Sequence, residues 1–286
     1  MKQLACIVGV LVLIIGTMSG IALGQDLVLY DNFDASFLNP EDWLAGLYTD
    51  PGIFLLDLSR VIKNEPTLNS KTLNLVNRSY AYEGSNSGSR ASSTRLFFAD
   101  GSNITTIQAV VLVKNIQSTG CGTANTYATE ARLRIGGAFF NSSIAAPTPG
   151  DQTNDIFAFV TASRAIDSTD PTNVLKVKGK LYICTNSDCS NTDEIGTVDV
   201  GTLKVNTKAK LTITWYPASH EFGFKKGKTE VKFAYGQSDS RPPETVNGGN
   251  KRLEVIHYIS NCMSDPGIPR PMSYMDAYFD NVKINP

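Results

Sequence analysis

The chain has little of what most catalytic or metal centres are made from. It holds only two histidines, His220 and His257, in 286 residues, too few to build a histidine metal site. Five cysteines are present, with no C-x₂-C pair, which argues against a four-cysteine zinc site. No Gly-x-Ser-x-Gly elbow is present, so an esterase nucleophile has no place. GFKKGKT at 223–229 has three residues between its glycines where a phosphate-binding loop needs four. Charge of one sign is also lacking: 26 Lys plus Arg face 27 Asp plus Glu. Such a balance gives no general attraction to nucleic acid or anionic membranes. Helical periodicity is almost absent beyond the N-terminus.

The N-terminus is the one long hydrophobic run. Lys2 precedes an apolar stretch from Leu4 to Ile15, and small residues follow, with Ala22 and Gly24 at minus three and minus one from Gln25. This is the pattern of a secretory signal cleaved after residue 24. A retained anchor is the alternative, since a span needs about 20 apolar residues, but Gly16, Thr17, Ser19 and Gly20 weaken the distal half. Cys6 lies too early to be a lipidation site. Residues 25–286 then form a secreted, periplasmic or cell-surface domain with no further span, and cleavage removes only Lys2 from the charge count.

Four cysteines remain in that part, an even number that suits disulfides in an exported chain. Cys184 and Cys189 flank a turn-rich Thr-Asn-Ser-Asp and can close a hairpin. Cys121 with Cys262 follows by elimination, although four cysteines allow three pairings. Short alternating runs recur between clusters of Gly, Asn, Ser, Asp and Pro, the signature of an all-β sandwich or barrel. Strands are expected at 27–30, 71–75, 94–98, 106–114, 130–135, 156–163, 175–184, 196–200, 209–216, 221–225, 230–235, 253–260 and 275–284. The segments 40–44 and 57–63 read as short helical turns. No domain boundary or repeat interrupts the run, so 25–286 is expected to be one domain.

Three patches carry a resemblance. LYDNFDASFLNPEDW at 29–43 resembles the first strand, loop and Trp of the concanavalin A-like lectin/glucanase superfamily. AYFDNVKIN at 277–285 resembles its closing strand. LTITWYPASHEFGFKKG at 211–227 is similar to a hairpin of its laminin-G-like members. Together they imply a two-sheet antiparallel jelly-roll sandwich whose end strands pair, with Phe33 and Phe279 inward. The resemblance also implies a possible structural calcium near Asp31 and Asp280; their plainer role is to cap strand ends.

The superfamily's glucanases carry a Glu-x-Asp-x-x-Glu strand that sets nucleophile and acid on one face, and none occurs here. Its alginate-lyase-like members suggest another enzyme reading. Glu130, Arg132 and Arg134 share one strand face, His257 ends a strand, and FKKG spans 224–227. The order and the flanking residues depart from that family's pattern. The simpler reading makes Glu130, Arg132 and Arg134 a solvated face and His257 a core histidine. Exposed aromatics that stack on pyranose rings, beside polar side chains, are candidates for sugar binding: Tyr80, Tyr82 and Tyr258, with Arg132 and Arg134. Trp43 and Trp215 read as core. The sequence thus favours an exported, non-catalytic, lectin-like domain binding a glycan or a surface protein. The alternatives are a polysaccharide-active enzyme, lyase before hydrolase, and an adhesive protein without a small ligand.

Overall fold

A computed structural model describes residues 26–82, 87–144, 148–239, 241–243, 250–262 and 270–286. Residues 1–24, read above as a secretory signal, lie outside the described residues. Fifteen strands pair antiparallel into two sheets. The eight-stranded sheet runs β13 (Thr229–Ala234), β12 (Glu221–Lys226), β11 (Ala209–Tyr216), β6 (Thr106–Thr119), β15 (Met272–Ile284), β4 (Ser70–Ala81) and β3 (Ile53–Glu65), with β1 (Val28–Asp31) pairing β15 beyond the end of β4. The seven-stranded sheet runs β10 (Thr192–Lys204), β9 (Val174–Cys184), β8 (Asp155–Ala165), β7 (Glu130–Asn141), β14 (Arg252–Ser260), β5 (Ser89–Phe98) and β2 (Trp43–Thr49). The fold is an all-β, two-sheet antiparallel jelly-roll sandwich.

Alternation along each strand explains why the sheets stack, because successive side chains point to opposite faces. Leu73 and Leu75 of β4, Ala277 and Phe279 of β15, and Val111 and Val113 of β6 lie on one inner face and are fully buried. Leu133 and Ile135 of β7 and Leu253 and Val255 of β14 meet them from the other sheet. The end strands pair as expected, Val28 opposite Ile284 and Asp31 opposite Val282, and Phe33 and Phe279 are both fully buried. Burying one such ring contributes roughly 1.5–3 kcal/mol.

The two long edges of the sandwich close differently. At β10 and β13, and next to them at β9 and β12, glycines admit rings: a Cβ on Gly196 would come within 2.2 Å of Phe233, and one on Gly179 within 2.2 Å of Phe224. At β2 and β3 the gap is crossed by Arg60, whose Nη1 donates to the Arg95 carbonyl at 3.2 Å. An inward-pointing charge on an edge strand also discourages pairing with another chain.

One segment differs from the sequence expectation. Residues 57–63 are not a helical turn but the middle of β3, whereas 40–44 does begin as a single turn, with the Trp43 N–H donating to the Asn39 carbonyl at 2.9 Å, before running directly into β2. In β3 a bulge between Leu55 and Asp57 interrupts the alternation, so the apolar residues mimic helical spacing. Both disulfides form as paired above, Cys121–Cys262 and Cys184–Cys189. The first closes a separation of 141 residues, and a loop of that order stabilises by about 4–5 kcal/mol in the chain-entropy model. No helix among the described residues is long and apolar enough to cross a membrane.

Candidate functional site

The outer face of the seven-stranded sheet is hollowed into a groove of about 550 Å³. Its floor is made by the outward residues of five neighbouring strands, and the pairing register sets them in rows. Arg95 of β5, Glu254 of β14 and Arg134 of β7 stand side by side. One row along, Phe97, Arg252, Gly136 and Phe159 line up. On the other side come Tyr48, Ser93, Ile256 and Arg132.

Glu254 is the centre of this floor. It is fully buried and accepts from three guanidiniums: Arg95 Nε at 2.7 Å on Oε1, Arg252 Nε at 3.1 Å on Oε2, and Arg134 Nε, also on Oε2. A carboxylate buried alone would be expelled or neutralised. Here burial pushes the Glu254 pKa up, but the three cations together hold it well below the ordinary carboxylate value. Burial, and beyond it the repulsion of Arg95 and Arg134, pulls Arg252 down to about 9 against the support of Glu254. The floor therefore has more positive charge than its own carboxylate balances.

Each guanidinium plane also lies against a ring. Arg134 sits 4.2 Å from the Phe159 centroid, Arg132 4.3 Å from Tyr258, and Arg95 4.9 Å from Tyr48, distances at which a cation is held by the ring quadrupole. Arg132 is further paired with Glu130, Nη2 to Oε2 at 2.6 Å. Burial works against the Arg132 charge, yet Glu130 leaves its pKa raised.

The walls come from loops. On one side the Tyr48 hydroxyl donates to Asp50, whose other oxygen accepts the Ala91 N–H at 2.6 Å. Burial, then Asp50, raises Tyr48 to about 12, so its phenol stays protonated. On the other side the Cys184–Cys189 bridge holds a short loop whose Ser187 carbonyl accepts the Gln152 N–H at 2.8 Å. Gln152, Asp188 and Ser190 face the groove from there.

The residues singled out from the sequence separate into groups. Tyr258 and Arg134 line the groove, and Arg132 lies beside it on the same sheet face, against the Tyr258 ring. Glu130, Arg132 and Arg134 were expected to be a solvated face; instead Arg134 is buried at 6% exposure, because the loops rise around it. Tyr80 lies on the outer face of the opposite sheet, paired with Phe54 and Met272, and Tyr82 follows the end of β4. His257 points the other way from the groove. It is fully buried between the sheets with its Nδ1 3.1 Å from Ser79 Oγ, and burial lowers its pKa to about 3. His257 and the arginines therefore lie on opposite sides of one sheet, which removes it from any groove chemistry.

Asp31 lies on β1 and Asp280 on the adjacent β15, and each already takes protein donors. Asp31 accepts the Phe33 N–H at 2.6 Å and the Trp43 indole at 2.7 Å. Asp280 accepts the Ser70 hydroxyl at 2.8 Å and the Asn281 N–H at 2.7 Å. Among the described residues no group of three His, Cys, Asp or Glu is placed to hold a metal ion.

Arg95, Arg252, Glu254 and Tyr48 were not singled out from the sequence. A signal was present in RLEVIHY at 252–258, where two opposite charges alternate with apolar residues in a strand bounded on both sides by others. Charges in a central strand need partners, and only the register supplies them.

Three solved structures are similar to the chain. LamA from Z. galactanivorans, in complex with laminaritriose and laminaritetraose, matches with 12% identity over 91% of this chain and 98% of its own, at a TM-score of 0.39. The catalytic domain of an endo-1,3-beta-glucanase (laminarinase) from Thermotoga petrophila RKU-1 matches with 11% identity over the same shares, also at 0.39. A family 7 alginate lyase, A1-II′, in complex with substrate, matches with 10% identity over 88% and 98%, again at 0.39. At these identities and scores the likenesses carry no argument about activity. No family model matches the chain, and no curated protein matches it in sequence.

Proposed function

We propose that the protein is an exported, non-catalytic, lectin-like domain that binds a glycan chain in the groove of its seven-stranded sheet. One observation carries this reading: aromatic rings and fixed hydrogen-bond donors converge on one open groove, with Tyr258, Tyr48 and Tyr182 beside Arg95, Arg134 and Arg252. Rings offer apolar area to the flat side of a sugar, and polar groups that converge in a pocket fix its orientation. Two disulfides in the folded domain suit an oxidising, extracytoplasmic location, in keeping with the leader-like N-terminus.

The state of the carboxylates on this sheet face supports binding without catalysis. A glycosidase acid must have a raised pKa so that it holds a proton near neutrality. Glu130 and Glu194 face burial, which raises them, but Arg132 beside Glu130, and the Thr197 hydroxyl and Lys180 beside Glu194, leave both lowered, and Glu254 is lowered further. A lyase is the second reading, and it would have to take its base from a tyrosine because His257 lies across the sheet. Incubation with uronate polymers would then raise ultraviolet absorbance from an unsaturated product; a steady rise overturns the non-catalytic reading.

A glycan array, run with and without EDTA, tests the binding itself. Signal on at least one glycan, lost in Tyr258→Ala, is the expected result. A blank array, or binding indifferent to Tyr258→Ala, removes the groove. A structural calcium at Asp31 and Asp280 would show in the same samples as a fall in Tm on chelation.

A further inference from the structure

We infer that the groove selects a polyanionic chain, a polysaccharide carrying carboxylate or sulfate groups, which lies across the strands from the Arg95–Arg134–Arg252 cluster to the lysine ladder of β9. The inference rests on the groove reading above and adds the charge, direction and anchoring residues of the ligand.

Charge bookkeeping on the floor is the first ground. Three guanidiniums share the single carboxylate of Glu254, which leaves two positive charges in excess. Each of the three spends its Nε on Glu254. A planar fork engaged at one edge by Nε keeps donors at its other edge for a second acceptor, the geometry suited to carboxylate and sulfate oxygens. Arg252 uses Nη1 on the Asn250 carbonyl, so Arg95 and Arg134 have the larger reserve.

The second ground is the ladder. Lys176, Lys178 and Lys180 are alternate residues of β9, so all three point from the groove face. Their register partners across β8 are Ser163, Thr161 and Phe159, in the rows of Arg132, Arg134 and Arg252. Lys180 pairs with Glu194 and Lys176 with Asp170, each at 3.2 Å. Lys178, in the row of Arg134, forms no salt bridge with any described residue; Asp199 is its register partner on β10 and stays outside ion-pair distance. Arg134 and Lys178 are two strands apart, roughly 10 Å, a spacing to bridge with successive anionic groups of one polymer. Of the other acids on this face, Glu130, Asp170 and Glu194 are each paired with one cation, Arg132, Lys176 and Lys180, and Asp50 and Asp188 on the groove walls accept hydrogen bonds from neighbouring donors. A chain lying on the floor meets cations beneath it.

The arrangement is not a general affinity for anions, because the protein as a whole has a net charge of −1. The excess is local to the Arg95–Arg134–Arg252 cluster on the floor of a groove whose walls reduce screening by salt.

Calorimetric titration with sodium polygalacturonate, dextran sulfate and neutral laminarin, at about 50 and about 300 mM NaCl, tests the inference. Binding of at least one charged polymer, weakened about tenfold or more by the higher salt as counterion release requires, is the expected result, and the two polyanions distinguish carboxylate from sulfate. Lys178→Ala should weaken the charged polymer about two- to fivefold and leave the fold intact by circular dichroism. Should laminarin bind as tightly as both polyanions, or the polyanion affinity ignore salt and Lys178→Ala alike, the charge inference fails while the groove reading stands. If no polymer binds and the glycan array is blank, both fail together.

Discussion

On one side of β14, Arg252, Glu254, Ile256 and Tyr258 look onto the groove; on the other, Leu253, Val255, His257 and Ile259 look into the core. Glu254 and His257 are both fully buried, yet the two faces accommodate polarity in opposite ways. The groove face keeps its charge and surrounds it with counter-charge. The core face keeps its polar residue neutral and gives it one hydrogen bond, to Ser79. The charged solution costs more desolvation and leaves donors directed outward, where a ligand can use them. The neutral one costs little and offers a ligand nothing. A single strand thus separates recognition from cohesion by residue parity.

The comparison is broken most severely at its centre. Glu254→Gln leaves three guanidiniums around a neutral amide, and removing one partner of a buried ion pair costs about 3–5 kcal/mol. Urea unfolding should show a loss of that order; a loss below about 1 kcal/mol would mean the cluster rearranges around solvent. On the core face, Leu253→Ala should cost about 3 kcal/mol through the cavity it leaves, with glycan affinity unchanged in whatever fraction remains folded.

The acid side of the stability curve distinguishes the two polar residues. His257 has a folded pKa of about 3 against an ordinary 6.5, so below the unfolded value the unfolded chain binds more protons. The His257 contribution is fully present above pH 6.5 and declines as pH falls toward 3, at up to about 1.4 kcal/mol per pH unit. Glu254, lowered from 4.5, adds its loss only below that value. Between 4.5 and 6.5 the slope belongs to His257, and His257→Gln should flatten it in chemical denaturation at several pH values. An unchanged slope there would mean the imidazole reaches water. The smallest stability effect is Tyr258→Ala, about 1 kcal/mol or less for a half-buried ring at the groove, against complete loss of the array signal.

How much of this could be read from the sequence follows from the distance over which each feature is encoded. Parity within one strand is local, so the Arg132–Arg134 face and the inward His257 were both legible. The first and last strands were legible because Phe33 and Phe279 sit in patterned ends. β3 was not: its bulge and its half-exposed edge erase the alternation, and Leu58, Val61 and Ile62 fall at helical spacing. The groove was legible only in part. Arg95, Arg134 and Glu254 belong to segments far apart in the chain, and nothing within any one of them states that they share a row. Tyr80 was drawn in by its polar neighbours, but it lies on the outer face of the other sheet, away from the groove. The walls are loops, whose positions depend on the disulfide and on backbone bonds such as Gln152 to Ser187.

Two of the interior amides have a consequence for how the chain can be made. Asn77 and Asn141 both begin Asn-x-Ser sequons and both are fully buried, Asn77 donating to Ser92 across the sandwich and Asn141 to the Thr153 carbonyl and Asp155. Asn103, which starts the third sequon, is exposed. A glycan attached to Asn77 before folding would occupy the space where the sheets meet. A production host that modifies sequons during translocation would deliver chains unable to close, whereas one without that machinery, or Asn77→Gln and Asn141→Gln variants in the former, would not meet the obstacle.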